Sequence, residues 1–299
     1  MTHTALLTLH GMGEIRPGYE AALVQCLKPR LGGSAIDLGV HPVYYQDLLQ
    51  DNERTVWDRS DRQAPMHYGD LRKVLLFGLA DAAGLEAGKD EPGSVYELAQ
   101  LRIAQALFGA CKAHGPDQPV VLISQSLGCQ VMSNYLYDAQ KKLWNGQDVA
   151  AGIWRNIDAF APQIAGRPLT NAERLFLGGR TCRRWITTGC SIPIFVAAHK
   201  TMTIRPIQPP PGNSADFKWL NLYDPDDVLG WPLAPLSDTY AQLVQDRPIS
   251  AGHGLVNWLL KSTTSLSHTA YWTDDDVIEP LAQMLSEFLN AGLPLHALQ

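Results

Sequence analysis

The sequence predicts an α/β fold: a mostly parallel central sheet of about six strands, helices on both faces, and a cap insertion. Three observations carry this. Short apolar runs alternate with longer segments of helical spacing. Those runs are apolar at nearly every position, as in strands covered on both faces rather than one. One stretch, residues 145–182, breaks the alternation at a point where only a short connection is needed.

In chain order, Ala5 to Leu9 reads as a strand stopping at the glycine turn His10-Gly11-Met12-Gly13. Glu20 to Leu31 places Ala22, Val24, Leu27 and Leu31 among polar residues, a helical spacing. Ile36 to Tyr45 is strand-like, and residues 50–70 are polar with no clear period. Leu71 to Ala83 and Val95 to Ala113 read as helices, the second with Ser94 as its N-cap. Pro119 to Ser124 is a buried strand, and Leu127 to Leu143 is a helix in which Val131 and Tyr135, then Met132 and Leu136, recur at i, i+4. Trp185 to Thr188 and Trp219 to Tyr223 are further strands. Asp274 to Leu289 is a closing amphipathic helix. The whole chain reads as one domain, 1–299, with 145–182 as a cap or lid within it.

Composition narrows the function. Of 299 residues, 45% are hydrophobic and 18% charged, and the net charge of −6 comes without a basic block. A nucleic-acid footprint is therefore not expected. The five cysteines are odd in number, scattered and without a CxxC, which suits reduced thiols in a cytoplasmic protein. The N-terminus lacks the basic region and small-residue cleavage site of a signal peptide. No apolar run approaches the ~20 residues of a transmembrane helix, which leaves peripheral membrane contact open. The histidines share no ligand spacing, so neither a metal nor a cofactor is expected.

The stretch Val120-Val-Leu-Ile-Ser-Gln-Ser-Leu-Gly-Cys-Gln-Val131 passes from strand to helix through Ser126. A serine on such a tight turn exposes its hydroxyl at the carboxyl edge of the sheet. The positions two before and two after it must be small, because the helix folds back against the strand. Here they are Ser124 and Gly128, giving S-x-S-x-G in place of the commoner G-x-S-x-G. The Leu127 N–H then starts a helix where an oxyanion would form. The strand ending in His10-Gly11 would bring a second donor, the Met12 N–H, with Gly11 allowing close approach. The His10 side chain itself reads as a satisfied turn residue.

A serine nucleophile needs an acid at a strand end and then a histidine. Trp219-Leu-Asn-Leu-Tyr-Asp-Pro-Asp-Asp-Val228 offers Asp224, Asp226 and Asp227. Asp226 is the first choice, Asp227 close behind, and Asp224 reads as turn chemistry. His268, just before the closing helix, is the preferred base, and His253 in Ala251-Gly-His-Gly-Leu255 is its rival.

These segments resemble the α/β-hydrolase superfamily, and most closely its lipase-like branch. The carriers are "LLTLHGMGE", "LISQSLG", "WITTGCSIP", "NLYDPDDVLG" and "SHTAYW". The resemblance implies a sheet lacking the two leading strands of the full eight-stranded fold. It implies a serine esterase acting on a small-molecule carboxylic ester, lipid ester or thioester, with Ser126 as nucleophile, His268 as base, Asp226 or Asp227 as acid, and Gly11, Met12 and Leu127 around the oxyanion. Substrate choice would lie in the cap, in residues 50–70 and in residues 200–215. The fold also hosts catalytically silent binding and regulatory proteins, and the departure at Ser124 keeps that alternative open.

Overall fold

The computed structural model describes residues 3–198, 204–212, 214–250 and 270–290. Six strands form one sheet: β1 (Thr4–Leu9), β2 (Leu38–Val43), β3 (Val120–Gln125), β4 (Cys182–Thr188), β5 (Lys218–Tyr223) and β6 (Val244–Pro248). Their order is β2-β1-β3-β4-β5-β6, and every neighbouring pair is parallel.

Alternation along each strand feeds two cores. Leu7, Leu9, Leu122, Trp185 and Trp219 point to one face, packed with the helices α4 (Val95–His114) and α5 (Leu127–Leu143). Leu6, Val121, Ile123, Ile186 and Leu220 point to the other, under α1 (Ala21–Leu31) and the C-terminal helix Asp275–Leu289. Both faces are covered, so the strands are apolar throughout, the pattern that predicted a parallel sheet.

Three differences from the sequence reading have physical reasons. Residues 50–70 are largely helical: α2 (Gln50–Gln63) and α3 (Gly69–Glu86) lie side by side. The inward stripe of α2 is Glu53, Trp57 and Ser60, led by a carboxylic acid, so no apolar period marks it. The sixth strand, β6, is an edge strand of sequence Val-Gln-Asp-Arg-Pro, too polar to stand out, with its proline at the end, where no further ladder bond is needed. The strand expected over 36–45 is shorter, because Gly32–Asp37 is a 3₁₀ turn.

Residues 145–182 leave the end of α5 and enter β4 at Cys182, which pairs with Val120 at the start of β3. The segment holds two short helices, α6 (Ala161–Ala165) and α7 (Asn171–Leu177). Ile153, Trp154, Ile157, Ile164, Phe176 and Leu177 are buried in the same core as α4 and α5. Its polar ties are also inward. The Ile153 N–H donates to Gln100, whose amide donates to the buried Asp138, and the Tyr135 hydroxyl donates to the Leu177 carbonyl. Both ends of the segment therefore sit at the amino edge of the sheet, opposite Ser126.

Among the described residues, no helix is long and apolar enough to cross a membrane. All five cysteines are free thiols.

Candidate active site

The strand order creates the site. The chain leaves β1 for β2 on one side and returns to β3 on the other, so the connections from β1 and β3 diverge. In open parallel sheets the crevice at the carboxyl ends of two such strands is where ligands bind. Leu9 pairs with Ser124 at that point, and the next residues of each strand are His10-Gly11 and Gln125-Ser126.

Ser126 has φ 48° and ψ −121°, and Tyr68 is the other described non-glycine residue at positive φ. A serine held in this sparsely populated region costs of order 1–3 kcal/mol, which the surroundings must supply. Its N–H donates to the Thr188 carbonyl at 2.9 Å, and its carbonyl accepts the Cys129 N–H at 3.0 Å, so strand β4 and helix α5 clamp it from two sides. Leu127 follows as the first residue of α5, and its N–H belongs to the set without an intrahelical acceptor.

Two glycines make room. A Cβ on Gly128 would overlap the His10 carbonyl oxygen and lie 3.0 Å from that of Leu9, so α5 packs directly on the backbone of β1. A Cβ on Gly11 would lie 2.9 Å from the Ser126 Cβ, so the β1 loop passes directly beside the serine. Ser124, which stands where glycine is commoner, is fully buried. Its hydroxyl accepts the Trp185 indole N–H at 2.9 Å.

The His10 ring is held as the sequence suggested. Nδ1 donates to the Gly11 carbonyl at 2.8 Å and Nε2 accepts the Tyr45 N–H at 3.3 Å, with the ring stacked on Tyr45. That assigns the neutral tautomer with the proton on Nδ1. The Tyr45 hydroxyl in turn donates to the His10 carbonyl at 2.7 Å.

The acid turn follows β5. Asp226 is exposed, and its N–H caps the Asp224 carboxylate at 2.9 Å. Asp224 and Asp227 are buried. One Asp227 oxygen accepts the Leu229 N–H and the other the Tyr271 hydroxyl, each at 2.9 Å. Burial raises the Asp227 carboxyl above the ordinary range, while the Leu229, Tyr271 and Gly230 donors pull it back. Gly189 and Gly230 face this carboxylate: a Cβ on Gly189 would lie 3.1 Å from Asp227 Oδ2. Gly189 directly follows Thr188, the residue that anchors the Ser126 N–H. The structure therefore links the acid turn to the serine turn through β4. His268 and its rival His253 lie outside the described residues.

A feature unmarked in the sequence sits behind the Gly11 loop. Three successive loop residues are tied to one face of α3. Met12 packs on Gly78, the Gly13 N–H donates to Asp81 at 3.1 Å, and Glu14 pairs with Lys73 at 2.9 Å. Asp81 also accepts the Gln46 amide on both of its oxygens. Among the described residues, no group of three or more His, Cys, Asp or Glu side chains is placed to hold a metal ion.

No family model matches this chain, and no curated protein does.

Proposed function

We propose that this protein is a serine hydrolase of the α/β-hydrolase type, cleaving carboxylic esters through an acyl-enzyme. The observation that carries the reading is the strained Ser126 turn at the switch point between β1 and β3, with the Gly11 backbone beside it. The cost of such a backbone is an argument for a role, since a helix cap needs no positive φ.

In this reading the Ser126 hydroxyl attacks the ester carbonyl and His268 takes its proton. The Leu127 and Met12 N–H groups receive the oxyanion. The protonated histidine then hands its proton to the leaving alcohol, and water repeats the sequence on the acyl-enzyme. For the acid, burial favours Asp227 over the exposed Asp226: a carboxylate that stabilises an imidazolium works best away from water. Lipid esters and thioesters fall within the same chemistry.

A fluorophosphonate probe tests this. Labelling of Ser126 in the wild type, absent in Ser126→Ala, is the expected result. Failure of the folded protein to label at mildly alkaline pH overturns the reading. It would favour the second one, a catalytically silent binding protein. The observation on that side is that Ser126 is only 7% exposed and both Asp227 oxygens already hold donors.

A further inference from the structure

The two oxygens of Asp227 are held in different ways. Oδ1 accepts the Leu229 N–H two residues on, which is ordinary turn chemistry and needs only one oxygen. Oδ2 accepts the Tyr271 hydroxyl at 2.9 Å, from a side chain 44 residues away in the short helix Ala270–Thr273. That bond lies against two bare backbones. A Cβ on Gly189 would lie 3.1 Å from Oδ2 and 3.5 Å from the Tyr271 hydroxyl oxygen, and a Cβ on Gly230 would lie 2.6 Å from Oδ2. Glycine at both positions leaves the space that the hydrogen bond fills.

We propose that Tyr271 is a positioning residue for the acid: its hydroxyl fixes the plane of the Asp227 carboxylate against the end of β4 and so orients it for the histidine. Tyr271 takes no part in the chemistry and acts through Asp227 alone. The inference rests on the hydrolase reading with Asp227 as the acid.

The hydroxyl is placed by the framework. Tyr271 is buried in the core under α1 and the C-terminal helix. Its neighbour Trp272 packs edge-on against Tyr19, with ring centroids 5.6 Å apart, and the Tyr19 hydroxyl donates to the Thr8 carbonyl of β1 at 2.7 Å. The donor is thus held by the sheet and not by the turn that it orients.

The charges around the pair are all negative. Asp224 shares the turn and is buried, and Asp274, at the start of the C-terminal helix, acts on Tyr271. Among the described residues, no lysine or arginine acts on Asp227. Its charge therefore rests on hydrogen-bond donors, and Tyr271 is the side chain among them. Burial, then the Asp227 charge and hydrogen bond, push the Tyr271 phenol well up, so it keeps its proton and donates across the working range. A carboxylate has about four acceptor sites, so the donors on Asp227 leave room for a ring N–H.

The test is Tyr271→Phe, which keeps the ring and removes only the hydroxyl. The readouts are the rate of Ser126 labelling by a fluorophosphonate, the thermal midpoint, and the Asp227 carboxyl carbon shift across pH by NMR. Removing a donor from the ionised form disfavours that form, so the Asp227 midpoint should rise by roughly one pH unit, as expected for a hydrogen bond to a charged group. Labelling at neutral pH should slow by about tenfold for the same reason. In an Asp227→Asn background the same change should make little further difference, because the charge that Tyr271 orients is already gone. A tyrosine that only fills the core would lower the thermal midpoint and leave labelling and the carbon shift alone. Labelling unchanged from wild type, an Asp227 carbon that titrates alike in both proteins, or an equal loss in both backgrounds overturns the proposal. If Ser126 labels in no protein, wild type included, the hydrolase reading fails instead, while the carbon shift still decides whether Tyr271 holds the carboxylate.

Discussion

The indole N–H of Trp185 donates to the Ser124 hydroxyl at 2.9 Å, two residues before the strained serine. Trp185 is fully buried and stacks on Trp219, with ring centroids 4.1 Å apart. The serine at this position is thus the acceptor for an indole that has no route to water.

Restoring the commoner motif should therefore cost stability. Ser124→Gly leaves the Trp185 N–H without that acceptor, a loss of about 1–3 kcal/mol, with roughly 0.5–1 kcal/mol more for glycine in a strand. Urea unfolding would measure it. Ser124→Ala should show the first loss without the second. An unchanged midpoint in both variants would mean that the indole finds another acceptor.

The two close-approach glycines should fail differently. In Gly128→Ala the new methyl meets the carbonyls of Leu9 and His10 at the end of β1, so α5 must move off β1 and stability should fall by several kcal/mol, in line with severe overpacking. In Gly11→Ala the methyl meets the Ser126 side chain instead. That variant should keep most of its thermal stability and lose Ser126 labelling. Retained labelling in folded Gly11→Ala would place the loop farther from the reacting oxygen than this reading needs.

For the acid, Asp227→Asn should lower kcat on the order of 10⁴, the loss seen when a triad aspartate is neutralised. Asp226→Asn should leave kcat within a few-fold, since its carboxylate faces solvent. A large loss in Asp224→Asn with little in Asp227→Asn would move the acid to the first residue of the turn.

A pH effect on stability is expected far from the site. Arg167 grips Glu173 with both of its terminal nitrogens, at 2.7 and 3.0 Å; the Thr170 N–H donates to the same carboxylate, and the Thr170 hydroxyl caps α7 by accepting the Glu173 N–H. The Arg167 hydrogen bonds, then the Thr170 donors, hold Glu173 down at about 2 against an ordinary 4.5. A depressed carboxylate stabilises the fold above its unfolded value and loses that contribution as pH falls towards 2. The stability difference between wild type and Glu173→Gln should thus be flat above about pH 5 and shrink below it. The Arg167 side is half exposed, so added salt should reduce it as well. Thr170→Ala should cost about 1 kcal/mol at any pH in this range. A difference that does not change between pH 5 and 3 would contradict the assignment.

The parts legible in the sequence were those whose physics is local. Strands β1, β3, β4 and β5 announced themselves because both faces are buried, and α5 because its apolar residues recur at helical spacing. The strand-to-helix turn at Ser126 was legible because only small residues fit two positions either side of it. The helix α2 and the strand β6 were not, since one turns a glutamate inward and the other is a polar edge. Along the chain the acid turn puts Asp226 first and Asp227 second, because neighbouring residues carry no information about which of two adjacent carboxylates the rest of the fold covers. Their separation into exposed and buried comes from Gly189 and Tyr271, which meet the turn from other elements, and from Gly230, where the turn folds back on Asp227.

The sequence alone determined an α/β chain with a parallel sheet and a serine at a strand-to-helix turn, because periodicity and small-residue spacing are properties of neighbouring residues. Only the tertiary structure decided that the turn lies at the switch point between β1 and β3, since strand order depends on which side of β1 the chain returns to. It alone decided that Asp227 is buried and its neighbour Asp226 exposed. It also brought Gln46, Asp81 and Gly13 together from three separate stretches, because hydrogen bonding acts between residues close in space, however far apart they lie in the chain.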